Sequence, residues 1–197
     1  MGLIERPEYA ICSGSPERLF DLKDKNILST RPIAGTRKRG KNKLEDLKLE
    51  QELVNCRKEQ AEHVMLADLL RNDLSISSEP GSVYLSEALS VERYAHVMHL
   101  VSEIKSRSSA SLSDITKAIF PGGTITGAPK ASVMSAIKEL EPGPRGPYTG
   151  SMGYISSNGD SDFNILIRSP FFINAQYKST LYFSSGGGVV INSNHEK

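Results

Sequence analysis

The sequence predicts one globular domain that mixes helices and strands, and three observations carry that expectation. A chain of 197 residues with 38% hydrophobic and 24% charged residues can bury its own core, and the composition fits neither a disordered chain nor a fibre. Short apolar runs bounded by Gly, Pro and Ser occupy the first twenty residues and the last third, as strands do. Between them, residues 44–74 keep helical spacing with no proline or glycine. No internal repeat or low-complexity linker divides the chain.

Taken in order, YAICSGSPERLF (9–20) reads as two strands joined at a bend that carries Glu17, and Asp24-Lys25-Asn26 as a tight turn before Ile27. RPIAGTRKRG (31–40) holds too much Pro, Gly and like charge for a regular element. Residues 44–74 predict one or two helices with an apolar stripe through Leu44, Leu47, Val54, Ala61, Val64, Met65 and Leu69. On that helix Glu59 and Glu62, three apart, share a face, as do Asp68, Arg71 and Asn72 further on. Paired carboxylates can hold a hard divalent cation, or they can be an ordinary solvated stripe. VYLSEAL and HVMHLVSEI read as strands, the second alternating through Val97, His99, Val101 and Glu103, and His99 there needs partners for its ring nitrogens. Leu112 to Phe120 predicts a short helix capped by Ser113 or Asp114.

The stretch FPGGTITGAPKASVMSAIK (120–138) is a glycine-rich loop followed by a helix with apolar residues at Val133, Met134, Ile137 and Leu140. Free N–H groups at such a helix start suit a carboxylate or phosphate. Gly122, Gly123 and Gly127 would admit a ligand to the main chain, Thr124 and Thr126 add hydroxyls, and Lys130 adds charge. A nucleotide loop fails, because Ala128 and Pro129 stand where GxxxxGK[ST] requires Lys and Ser/Thr; a plain connector stays open. After the turn-rich PGPRGP, three runs predict strands: GSMGYISS, FNILIRSPFFI and TLYFSSGGGVVI. Arg168, placed in an apolar strand, calls for a buried carboxylate or an anionic ligand. Tyr154 could add a hydroxyl, and Gly186, Gly187 and Gly188 bare N–H groups.

Bulk composition excludes several classes. Lys+Arg 24 against Asp+Glu 23 gives a net charge of +1, so no overall field recruits nucleic acid or an anionic membrane. The two cysteines, Cys12 and Cys56, form no CxxC, and the four histidines include no HExxH. With no signal-peptide pattern and no apolar run that would span a bilayer, a reducing cytoplasm is the expected location.

The order of these segments resembles the chorismate-binding domain shared by aminodeoxychorismate synthase component I, anthranilate synthase component I, isochorismate synthases and salicylate synthases. The resemblance rests on SPERLF (15–20), RPIAGTRKRG (31–40), AEHVMLADLLRNDL (61–74), VMHLVSEI (97–104), FPGGTITGAPK (120–130), GSMGYIS (150–156), ILIRS (165–169) and SGGGVV (185–190), and spans nearly the whole chain. It implies an α+β fold of two mainly antiparallel sheets packed face to face with helices outside, over residues 1–197 as a catalytic-domain fragment.

The resemblance also implies roles. Mg²⁺, held by Glu62 with Glu59 nearby, would take the ring carboxylate of chorismate, and Glu17 would protonate the leaving hydroxyl. Tyr154 and Arg168 would clamp the enolpyruvyl carboxylate, with Thr124 and Gly186 to Gly188 as further donors. His99 would lie beside the ring, and Ala34 and Thr36 would line the substrate. FPGGTITGAPK followed by GSMGY looks more like aminodeoxychorismate synthase, with ammonia from a glutamine amidotransferase subunit or domain; anthranilate synthase and a non-catalytic remnant are the alternatives. Ala34 departs from members with a lysine there, since a methyl group cannot form a covalent adduct. Relative to the family, the N-terminal half and a C-terminal helix with an ExxE pair and a lysine lie outside residues 1–197, so this fragment is expected to bind Mg²⁺ weakly and to turn over poorly or not at all.

Overall fold

The computed structural model describes residues 1–175, 178–189 and 193. The chain opens with β1 (Gly2–Glu5) and β2 (Tyr9–Ser13), an antiparallel pair in the register Gly2↔Ser13. It then crosses to a second sheet through Glu17 and enters β3 (Arg18–Lys23), which turns back into β4 (Ile27–Thr30). Asp24 and Lys25 make that turn with φ of 51° and 68°, the tight turn the sequence predicts.

Residues 31–40, expected to be irregular, instead contain β5 (Ile33–Lys38). It pairs with β7 (Val97–Arg107) through a register shift between Ile33 and Thr36, which absorbs Gly35 at φ 87°. Two of the charges that argued against a strand are matched: Arg37 meets Glu59 and Arg39 meets Asp46.

The long helical region is two helices, α1 (Lys43–Val54) and α2 (Arg57–Ser77). Their apolar stripe is not the expected one: Leu44, Leu47, Val64 and Met65 are exposed, and the buried line is Leu53, then His63, Leu66, Leu70 and Leu74. Next come β6 (Tyr84–Arg93) and β7, which is buried on both faces rather than alternating. Then follow α3 (Leu112–Ile119), α4 (Gly123–Thr126) and α5 (Lys130–Leu140). The cap of α3 is Ser111, not Ser113 or Asp114; its hydroxyl accepts from the Asp114 N–H at 3.2 Å. FNILIRSPFFI is not one strand: after β8 (Ser151–Ile155) it divides into β9 (Ser161–Ile165) and β10 (Phe171–Ala175), in different sheets. The last strand among the described residues, β11 (Lys178–Tyr182), ends before the glycines, which lie in irregular backbone; the expected strand over 190–191 falls outside the described residues.

The result is α+β with two antiparallel sheets, as expected: β1-β2-β10-β11, and β5-β7-β4-β3-β9-β8 with β6 on the far edge of β7. The core lies between the larger sheet and the helices, where Phe20, Leu22, Leu28, Ile104 and Ile165 pack against Leu70 and Leu74 of α2 and Ile115 and Ile119 of α3. Each such side chain contributes about 1.5–3 kcal/mol by leaving water. Leu53 of α1 covers Met98 and Leu100, and His63 of α2 bonds Ser102, so the even-numbered residues of β7 face the helices. His99 therefore faces the other way.

Candidate active site

The two sheets are joined where β2 crosses to β3 and where β9 crosses to β10, and these crossovers run side by side. Gly14 N–H donates to Arg168 O at 3.2 Å, Cys12 N–H to Pro170 O at 3.1 Å, and Ile165 N–H to Glu17 O at 3.0 Å. Ser13 Oγ accepts from Asn164 Nδ2 at 3.0 Å and pairs with Ser169 Oγ at 2.8 Å. Glu17 and Arg168 thus come from distant parts of the chain to one place. Arg168 is not in a strand: it occupies the crossover at φ 50°, a left-handed conformation unfavourable for a side chain of this size.

Glu17 is half-buried, and desolvation raises its pKa above the ordinary carboxylate range, against the opposing pull of the Thr124 hydroxyl and the Arg168 charge. Thr124 Oγ1 is buried and close to Glu17, yet makes no hydrogen bond of regular geometry. An unmatched hydroxyl and a carboxyl held toward its protonated form, beside a guanidinium, suit an anionic substrate that must accept a proton. His99, 5% exposed, shares Nδ1 with Thr36 Oγ1 at 2.9 Å and meets the edge of Tyr94 at 5.6 Å between centroids. Burial lowers its pKa, Arg168 lowers it further, and Glu92 and the Gly35 carbonyl oppose this; the influence of Arg168 ties His99 to the same site.

The carboxylate pair lies at the start of α2. Glu59 Oε1 accepts from Arg37 at 2.7 Å, while Oε2 is buried without a partner, 3.0 Å from where a Cβ on Gly35 would stand. Glu62 Oε1 lies 3.7 Å from the corresponding point on Gly188. No group of three or more His, Cys, Asp or Glu among the described residues forms a metal cage. Two carboxylates with one oxygen unspent fit Mg²⁺, which keeps waters and substrate oxygens for the rest of its shell. Ala34 is buried, and its carbonyl faces the His63 ring, whose pKa burial lowers.

Other expected residues play different parts. Lys130 does not face an anion site: its Nζ donates to Asp73 Oδ2 at 2.7 Å and to Ile119 O at 3.2 Å. Thr126 Oγ1 donates to Gly122 O at 3.1 Å. Gly122 and Gly123 admit core side chains rather than ligand, since a Cβ there would stand 2.8 Å from Ile165 and 2.7 Å from Leu69. Tyr154 is 61% exposed on the edge strand β8, and no contact among the described residues joins it to Glu17, His99 or Arg168. Gly187 opens onto free space, and Gly186 sits against the Tyr148 hydroxyl. Tyr148 and its neighbour Arg145 escaped the sequence reading; an arginine and an aromatic three apart inside a Pro/Gly break was the available signal.

All 197 residues, 1–197, match the family described as chorismate binding enzyme, and the chain belongs to it. It is 50% identical over 195 residues to aminodeoxychorismate synthase component 1 of Bacillus subtilis, covering 98% of this chain and 40% of that protein. It is 45% identical over 191 residues to anthranilate synthase component 1 of Saccharolobus solfataricus, covering 96% of this chain and 44% of that one. Anthranilate synthase component I from Streptococcus pneumoniae superposes with a TM-score of 0.77 at 40% identity, over 86% of this chain and 37% of its own. The chain therefore spans about two fifths of the length of these relatives. No helix among the described residues is long and apolar enough to cross a membrane.

Proposed function

We propose that this chain supplies the chorismate-binding site of an enzyme that replaces the 4-hydroxyl of chorismate with ammonia, giving 4-amino-4-deoxychorismate and water. The observation that carries the reading is Glu17, a carboxyl with a raised pKa set beside Arg168 and the buried hydroxyl of Thr124. Arg168 takes the enolpyruvyl carboxylate, with the backbone N–H groups of Gly186, Gly187 and Gly188 as further donors. Glu17 gives its proton to the departing hydroxyl, and its carboxylate then takes a proton from the added ammonia, so the acid is restored each cycle. His99, kept neutral by burial and fixed by Thr36, packs beside the ring, and Ala34 leaves room without bonding to it. Mg²⁺ on Glu62 and the free oxygen of Glu59 would hold the ring carboxylate and draw electron density from the ring. Ammonia comes from a glutamine amidotransferase partner.

The likeness to anthranilate synthases at 45% identity favours a second reading, in which ammonia addition leads to anthranilate with loss of pyruvate. Incubating the full-length protein with chorismate, Mg²⁺ and ammonium and identifying the product decides between them. The proposal expects 4-amino-4-deoxychorismate. Anthranilate would replace it with the second reading, and salicylate or isochorismate would end amination altogether.

A further inference from the structure

We propose that Tyr94 is a positioning residue: with Arg31, it holds the Glu92 carboxylate away from His99, leaving the imidazole to Thr36 and the substrate. Strand register creates the need for it. Across β7, His99 pairs with Thr36 of β5 on one side and with Glu92 of β6 on the other, so the three side chains share one face of the sheet. Residues paired in this way stand about 4.5–5.5 Å apart at Cβ, within reach of a carboxylate–imidazole bond. His99 nevertheless bonds the Thr36 hydroxyl, 2.9 Å from Nδ1, and both Glu92 oxygens are engaged elsewhere. Oε2 accepts from the Tyr94 hydroxyl at 2.6 Å, and Oε1 accepts from Arg31 Nη2. Arg31 lies between β4 and β5 and reaches over β7 to β6. The same Nη2 donates to Glu87 Oε2 at 2.7 Å, and Nη1 lies 3.6 Å from Glu103 Oε1. Tyr94 is itself fixed at the β6–β7 turn, where its N–H donates to Val97 O at 2.8 Å and its carbonyl accepts from Arg39 Nη1 at 2.8 Å. The groups facing His99 are thus Glu92 from β6, Tyr94 from the turn, Arg168 from the crossover, and the Thr36 hydroxyl and Gly35 carbonyl from β5. Burial and then Arg168 hold the imidazole toward its neutral form, and a Glu92 carboxylate turned onto the ring would oppose them.

This inference rests on the reading that His99 packs beside the substrate ring, and its test separates the two. The full-length parent is compared with its Tyr94→Phe, Glu92→Gln and double variants. Titration of His99 is followed by NMR without ligand, and kcat/KM for chorismate is measured with Mg²⁺ and ammonium at pH 6 and pH 8. Tyr94→Phe keeps the ring but frees Glu92 Oε2 to turn to the imidazole, so His99 should titrate at higher pH than in the parent. Glu92→Gln keeps an oxygen for the Tyr94 hydroxyl and removes the charge, so His99 should titrate at or below the parental pH. The double variant should behave as Glu92→Gln does. Relative to the parent, kcat/KM of Tyr94→Phe should be about 3- to 10-fold lower at pH 6 than at pH 8, since a move of one pH unit carries a factor of about ten. A Tyr94→Phe protein whose His99 titrates as in the parent, or a double variant that keeps the upward move, overturns the inference. If His99 moves as expected and turnover does not follow it, the place of His99 beside the ring is overturned instead, and the positioning role of Tyr94 stands.

Discussion

Lys130 and Arg168 are two cations that the sequence offers to an anion, and the fold uses them in opposite ways. Lys130 is tied to Asp73, itself 4% exposed, and to a backbone carbonyl, so its charge is matched within the protein and braces α2 against the start of α5. Arg168 forms no ion pair among the described residues, sits at φ 50°, and acts on Glu17 and His99 from a sheet crossover. A matched charge holds the fold together, whereas the charge left unmatched on strained backbone is the one proposed to meet the substrate.

The largest effect that would sharpen this contrast is on stability. Lys130→Met strands Asp73 in the interior and should cost about 3–5 kcal/mol in denaturant unfolding, whereas Arg168→Ala should stay within about 0.5 kcal/mol. Equal losses would break the comparison. Glu17→Gln tests the acid: turnover of the full-length enzyme should fall by about 10²–10⁴-fold. Because burial raises the Glu17 pKa, the folded state binds more protons than the unfolded state as pH rises past the ordinary carboxylate range, so its ionisation drains stability at neutral pH. Glu17→Gln should therefore raise the melting temperature at pH 7, and the gain should vanish in acid; a gain equal at all pH values would refute the raised pKa.

Two smaller effects follow. Arg168→Gly should be about 1 kcal/mol more stable than Arg168→Ala, because only glycine is at ease at this φ. Thr36→Val should cost about 1 kcal/mol and shift the titration of His99 followed by NMR, through loss of the bond at Nδ1.

What the sequence made legible was local. The motif blocks, the tight turn at Asp24 and the start of β8 depend on neighbouring residues, and they were read correctly. Contacts between distant segments were not legible. Continuous apolarity through FNILIRSPFFI hides a change of sheet, because strands on either side of a crossover need the same residue types. The glycines at 122 and 123 looked open to ligand because nothing local reveals Ile165 and Leu69. The stripe through Leu44, Val64 and Met65 was misphased because helical spacing fits more than one face of α1 and α2, and packing against β7 selects the other. Of the candidate site residues, Glu17 lies near Thr124 and Arg168, and His99 feels the Arg168 charge, whereas Lys130 turns inward and Tyr154 stands apart.

The most direct measurement is calorimetric titration of chorismate, with Mg²⁺, into the full-length protein and its Arg168→Ala variant. The account predicts binding that weakens by about 10- to 150-fold when the guanidinium is removed, the worth of a hydrogen bond to a charged group. Equal affinity in the two proteins would contradict it, since the crossover charge would then have no anion to meet.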